Sequence, residues 1–323
     1  MSRPSRFTSR SFEGRHDLRA MGALMSDAWN GPRRPVVPGT VGDLEWWTVG
    51  GGPDADWPAR VMLWERDGTT TAWGWFNPPG GLDWFVGDVS DDEETEIRAE
   101  ILDWQRLQTL RAWRERILTA TTDAERTAAT EPPSMEAWAL ESSSEESILR
   151  DLGWTASDTS LSQWVQRLDI DLDPPRVPDG YTLRHVRGPE EFPARVEAHR
   201  AAFAPSRITV EKYELLPGLD HYRFEHDLVL EAPDGSIAAF AICWLDPVGS
   251  VGEFEPVGTH PDHQRRGLGR VIMRAGLRLM REQGIRDAVV FSHRSNAASE
   301  ALYRSAGFDV AAIHRQYALT IEP

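Results

Sequence analysis

Hydrophobic and polar positions along this chain fall into strand-like alternation and then helical spacing, in the same order twice. In the second half, Asp227–Glu231 and Ser236–Leu245 read as two strands joined by a tight turn at Asp234-Gly235. In the first half, Val61–Glu65 and Thr69–Phe76 repeat that pattern about Asp67-Gly68, and Ala72-Trp73-Gly74 stands where Ala239-Phe240-Ala241 stands. Ser144–Leu152 followed by Gly153-Trp154 parallels Ala298–Ala306 followed by Gly307-Phe308. Gln163-Trp164 and Gln316-Tyr317 then open similar closing strands. The order holds while the offset shortens from about 170 to about 150 residues, which is the signature of an internal duplication.

The segment Asp169–Gly180, with three prolines and a closing glycine, has no periodicity and reads as a linker. Beyond it the pattern predicts a strand over Tyr181–Val186, a helix over Glu190–Phe203, the hairpin, and a strand over Val251–Thr259. A helix over Gly267–Gln283, stopped by Gly284, a strand over Ala288–Ser292, a helix over Ala297–Ala306 and two short strands complete it. Such alternation gives a mixed α/β sheet with helices packed on it. The expected organisation is a flexible tail over 1–15, a first domain over 16–168, the linker over 169–180 and a second domain over 181–323.

Composition narrows the classes. A chain of 323 residues with 40% apolar content is long enough for two cores. No apolar run reaches the roughly 18 residues that suggest a membrane span, and the Arg- and Ser-rich start is not followed by the apolar stretch of a secretory signal. A single cysteine, Cys243, excludes an internal disulfide and a cysteine metal cluster; its apolar surroundings suit packing better than nucleophilic work. A cytoplasmic protein without a membrane partner is the expectation. The net charge of −16 argues against a nucleic-acid partner and would suit a cationic acceptor such as an amine. Lys212 is the sole lysine among 35 basic residues, which reads as a coding bias toward arginine. The 14 tryptophans predict large buried or ligand-facing rings.

The informative chemistry lies in Val257–Arg270, where a strand runs into a turn and Gln264-Arg265-Arg266-Gly267-Leu268-Gly269 opens a helix. Glycines there allow close backbone approach, first-turn N–H groups lack intrahelical acceptors, and three arginines stand nearby, so the segment suits a pyrophosphate. The segment resembles the GNAT superfamily of N-acetyltransferases, whose Gln/Arg-x-x-Gly-x-Gly/Ala hallmark is matched by Gln264, Gly267 and Gly269 with Pro261 upstream. A second element of that family is matched by Asn296, Leu302-Tyr303 and Ala306-Gly307-Phe308. The tandem arrangement is more similar to mycothiol synthase-type members than to single-domain ones, and no substrate is carried over from that likeness. The resemblance covers residues 180–322 well and 16–168 faintly.

The resemblance implies two tandem GNAT-type domains, each a mixed, mostly antiparallel sheet flanked by helices, and acetyl-CoA as cosubstrate. Amides from Arg265 through Arg266, Gly267, Leu268, Gly269 and Arg270 would hold the pyrophosphate. Main-chain groups of Val257, Gly258 and Thr259 would lie along the pantetheine arm and polarise the thioester, with Asn296 contacting the same arm. Tyr303 would protonate the departing thiolate. A glutamate on the preceding strand would serve as base: Glu253 is the first choice and Glu255, two residues on, the second. Both project from one face if no bulge intervenes, and each would raise the other's pKa.

His260 and His263 flank Asp262, but that spacing with no further ligand does not make a metal site, and none is expected. The first half departs where the chemistry would be. Asp91-Asp92-Glu93-Glu94 crosses the phosphate loop, Glu96 replaces Gly267, Leu149 replaces Tyr303, and Leu82 replaces Glu253. That half reads as a degenerate copy, left with structural support, a wall of the acceptor cleft, or a homodimer contact as its roles. The resulting expectation is direct acetyl transfer to a small-molecule amine. The rivals are a CoA-binding sensor or scaffold without turnover, and a protein acetyltransferase.

Overall fold

The computed structural model describes residues 5–52, 56–123, 125 and 130–323. Among these, the first half of the chain runs β1 (Thr8–Ser11), α1 (Arg15–Asn30), α2 (Val41–Gly51), β2 (Val61–Arg66), β3 (Thr69–Asn77), β4 (Gly81–Val86), α3 (Asp91–Thr119), β5 (Ser134–Leu140), α4 (Ser144–Asp151) and β6 (Thr155–Arg167). The second half runs β7 (Thr182–His185), α5 (Phe192–Ala202), α6 (Val210–Tyr213), β8 (Asp227–Glu231), β9 (Ile237–Asp246), β10 (Val251–Thr259), α7 (Leu268–Glu282), β11 (Asp287–His293), α8 (Ala297–Ala306) and β12 (Asp309–Thr320). The chain divides into two compact units, 1–24 with 56–161 and 312–323, and 25–55 with 162–311.

In the first unit the strands stand in the order β1-β2-β3-β4-β5-β12, with the first part of β6 beyond β12. The β4–β5 pairing is parallel; β1–β2, β2–β3, β3–β4 and β5–β12 are antiparallel. Ile97 and Ile101 of α3 pack with Trp64, Trp84, Met135, Leu149 and Tyr317 to form its core. In the second unit the last part of β6 is followed by β11, β10, β9, β8 and β7. Its sheet is covered on both faces. Leu268, Val271, Ile272, Leu277 and Met280 recur at helical spacing along α7 and pack with Cys243, Phe254 and Tyr303. On the other face Val49 of α2 and Val196 of α5 pack with Tyr213, Phe240 and Trp244. β9 is buried along its whole length, the mark of a central strand covered by helices on both sides.

Three sequence expectations meet a different arrangement. Residues 8–11, expected in a free tail, pair with β2 from Thr8↔Glu65 to Ser11↔Met62; residues 1–4 lie outside the described residues. The two short closing strands are one, because Asp309–Thr320 contains no Gly or Pro to turn it, and its register with β5 runs unbroken from His314↔Leu140 to Thr320↔Ser134. The division at the linker also differs. The closing strand of each repeat completes the sheet that the other repeat builds, and α2 from the first half of the sequence belongs to the second unit.

Candidate active site

The site grows from a break in β10. Val251–Glu253 pairs with β9 on one edge and, in parallel, with Asp287–Val289 of β11 on the other. Between Phe254 and Val257 the register against β9 slips by one residue, a β-bulge at Glu255-Pro256. Proline has no N–H to offer the ladder, and the Trp244 indole N–H donates to the Glu255 carbonyl at 2.6 Å, fixing the bulge. Past it β10 pairs with β9 alone. The His260 N–H donates to the Ala238 carbonyl at 2.9 Å, so by strand alternation Gly258 also faces β9. Val257 and Thr259 therefore turn their main-chain groups to the open edge.

At the end of β10 a single turn over Pro261–His263 leads into Gln264, Arg265 and α7. Arg265 and Gly267 adopt left-handed backbone, with φ of 61° and 76°. Gly267 is the N-cap of α7 and makes no side-chain cap bond, so the N–H groups of Leu268, Gly269 and Arg270 are left for an outside acceptor at the positive end of the helix. Arg265, Arg266 and Arg270 are solvent-exposed around it. Arg266 is steered by the Tyr181 hydroxyl, 3.0 Å from its Nη1, and that hydroxyl lies 3.0 Å from His263 Nδ1. Gln264 Nε2 lies 3.5 Å from the Thr259 carbonyl. The second glycine has another reason: a Cβ on Gly269 would stand 3.1 Å from Leu302 of α8, so it serves helix packing. Asn296 caps α8, its Oδ1 accepting from the Ser299 N–H at 3.1 Å.

The acid–base groups differ sharply in setting. Tyr303 is 6% exposed, edge-on to Trp164 and tilted against Phe308. Burial, and then the nearby Glu255 carboxylate, raise its pKa, so it holds its proton. Glu253 is 1% exposed; the Thr40 hydroxyl, at the N-cap of α2, donates to its Oε2. Burial, with Asp43 and Glu255 close by, pushes its carboxyl well above the ordinary range, so it is a neutral acid. Glu255 is half-buried, and burial followed by Asp43 pushes it up to about 8. It borders a cavity of about 310 Å³ lined by Trp46, His199, Phe203, Lys212 and Pro256. The cavity wall on α5 is anchored from below, where Arg195 donates to Asp227 at 3.0 Å and the Tyr213 hydroxyl donates to it at 2.7 Å. Thr40, Asp43 and Trp46 escaped the sequence reading. Thr40-Val41-Gly42-Asp43 is a legible capping box, but nothing local tells where the capped helix docks.

Residues 194–308 match the acetyltransferase (GNAT) family. A mycothiol acetyltransferase of Saccharomonospora viridis is 30% identical over 155 residues, covering 45% of this chain and 51% of the relative. One of Beutenbergia cavernae is 32% identical over 150 residues, covering 44% and 50%. The chain thus spans about half the length of the curated relatives it matches. In fold it is similar to a GCN5-related N-acetyltransferase from Sphaerobacter thermophilus, with a TM-score of 0.66 at 18% identity, covering 100% of this chain and 98% of that one. It is also similar to a tandem GNAT protein from the clavulanic acid biosynthesis pathway, with a TM-score of 0.62 at 14% identity and 98% of each chain covered.

The first unit has a strand break of its own, and it is filled. β4 pairs in parallel with β5 only at Gly81 and Leu82. Trp84, at the place of Glu255, donates its indole N–H to the Trp138 carbonyl at 3.0 Å. Arg98, at the place of Gly269, stacks 4.6 Å from that ring and pairs with Glu94 and Glu145 at 2.8 and 2.7 Å. The N-terminus of α3 is closed by its own capping box, Ser90 with Glu93. Four acids in its first turn and a fully buried Leu149 complete the difference from α7 and Tyr303. Those acids set negative charge where a phosphate would have to lie.

Proposed function

We propose that the second unit transfers an acetyl group from acetyl-CoA directly to the amine of a small molecule. The observation that carries this reading is the end of β10. An open main-chain edge runs into an uncapped helix N-terminus, beside a proton-holding tyrosine and a carboxyl poised near neutral pH. The residues suit the cosubstrate. The N–H groups of Leu268, Gly269 and Arg270, with the exposed Arg265 and Arg266, would hold the pyrophosphate. Val257 and Thr259 would pair with the pantetheine arm as with an added strand and orient the thioester carbonyl. Acetyl-CoA supplies the activated acetyl group.

Glu255 takes a proton from the acceptor ammonium. The freed nitrogen then bonds to the acetyl carbon as the carbon–sulfur bond breaks, Tyr303 gives its proton to the leaving sulfur, and the second proton that the nitrogen sheds as the amide forms returns through solvent to the Tyr303 oxygen. A base near pH 8 is well matched to this task, since general bases work best near the operating pH. Burial and neutrality move the base from Glu253 to Glu255 in this reading, and Glu253 becomes the wall that holds α2 against the site. The names of the curated relatives support acetyl transfer. The test is turnover of acetyl-CoA with a panel of primary amines, read as free thiol together with the mass of the product. N-acetylated amine supports the reading. Tight binding of acetyl-CoA with no acetylated product from any amine would favour a sensor instead.

A further inference from the structure

The cavity beside Glu255 carries more information than the presence of a base. The protein has a net charge of −16, yet two cations, Arg207 and Lys212, line this cavity, and Lys212 is the only lysine in the sequence. Lys212 Nζ donates to the Gly50 carbonyl at 2.6 Å, which fixes its position and uses one of the three donors of an ammonium. Arg207 is exposed. Three rings, Trp46, His199 and Phe203, make one side of the wall, with Pro205, Ser206, Ile208 and Pro256 beside them. The His199 ring lies 4.8 Å from Phe203, 5.9 Å from Phe240 in a stack, and 6.1 Å from Trp46. Burial, and then Arg195, hold His199 down to about 4, so its ring is uncharged at neutral pH and acts as another flat face.

We infer that the acceptor is an amine carried on a flat apolar body that also bears an anionic group, the amine meeting Glu255, the body the aromatic wall, and the anion Lys212 and Arg207. The inference rests on the proposed acetyl transfer at this site and narrows its substrate class. It runs opposite to what overall charge suggests. An acidic protein attracts cations at long range, but the lining of the cavity decides what stays. Two cations at its rim disfavour a basic peptide tail, and aromatic walls offer a polyhydroxylated amine too few partners for its hydroxyls.

The experiment compares benzylamine, 4-(aminomethyl)benzoate, 4-(aminomethyl)phenyl phosphate and glucosamine on the whole chain. It measures KM for acetylation, binding of each amine by calorimetry in the presence of CoA, and binding of acetyl-CoA alone. Both anionic probes are expected to bind about tenfold more tightly than benzylamine, the size of one well-placed charge-assisted contact. A carboxylate acceptor is separated from a phosphate one by which probe leads. In Lys212→Met and Arg207→Met the ratio of anionic to neutral KM should collapse toward one. Equal affinity for benzylamine and the anionic probes, or a lead for glucosamine, overturns the inference. So does failure of every probe to bind while acetyl-CoA still binds. Loss of acetyl-CoA binding itself would instead count against acetyl transfer, so the two failures are distinct.

Discussion

Glu253 and Glu255 are two residues apart on one strand, yet the fold gives them opposite states. Glu253 is sealed beneath the N-terminus of α2, and Glu255 opens to the cavity. The rate should therefore rise with pH along a limb near 8 that belongs to Glu255. In Glu255→Gln that limb should vanish and turnover fall by roughly 10²–10⁴-fold, the range for positioned proton transfer. High pH should restore part of the rate by supplying free amine. Glu253→Gln keeps a neutral, hydrogen-bonding group in place and should retain the limb and most of the rate. Tyr303→Phe should lower turnover without weakening acetyl-CoA binding, and high pH should not help it. Stability follows the same groups. Glu255 is held above its unfolded pKa, so the native state binds a proton that the unfolded chain has released, and stability should fall as pH rises from about 4.5 toward 8. Thermal unfolding across that window should show the decline, flattened in Glu255→Gln. A flat wild-type profile would contradict the placement of the carboxyl.

At the scale of elements, the two glycines at the turn into α7 are equivalent in the motif and unequal in the fold. Gly267 stands at φ 76° with open space around it, so its strain under substitution is in the backbone. Gly267→Ala should cost about 1–2 kcal/mol for forcing an L-residue into left-handed geometry, and should weaken acetyl-CoA binding by misplacing the N–H groups that follow. Gly269→Ala meets the flexible ends of Leu302 tightly and the Thr259 hydroxyl at ordinary contact distance, and should be tolerated better. Urea unfolding and acetyl-CoA titration of the pair would check this. Helix α2 is the other decisive element. Thr40 accepts from the Gly42 N–H at 2.9 Å while donating to Glu253. Thr40→Val should cost about 0.5–2 kcal/mol, the value of an N-cap. A change within error would mean that the cap is not what holds α2 in place.

For the whole molecule, the helix that follows the strand break in the second unit starts without a side-chain cap, whereas α3 starts with the Ser90–Glu93 box and four acids. Calorimetry should accordingly give about one acetyl-CoA per chain, since phosphate capture needs an uncapped helix N-terminus. Removing the plug in the first unit with Trp84→Ala and Arg98→Gly together should not create a second site, because the Ser90–Glu93 box and the acids of α3 persist. Two equivalent sites in the wild type would overturn the view of the first unit as a filled copy. The buried Ile97, Ile101 and Gln105 of the long α3 tie it to its own sheet.

What the sequence determined by itself is what local pattern encodes. The duplication, the two hairpins, the glycine-marked turn into α7, and the Asn296–Phe308 element were all legible, because alternation, helical spacing and turn residues act over a few positions. The four acids of Asp91–Glu94 were equally plain in the sequence, and they stand in the first turn of α3. The tertiary structure alone decided which segments share a site. Nothing in Val41–Gly51 shows that this helix caps a glutamate some two hundred residues later, and nothing in β6 or β12 says that each closes the other repeat's sheet. The same holds for Trp84 and Arg98, ordinary residues in the sequence that become a plug only where β4 leaves β5. Such choices rest on which edges and buried faces find partners across the chain, and it is burial, set by those partners, that gives two neighbouring glutamates different settings, one sealed under α2 and one beside the cavity.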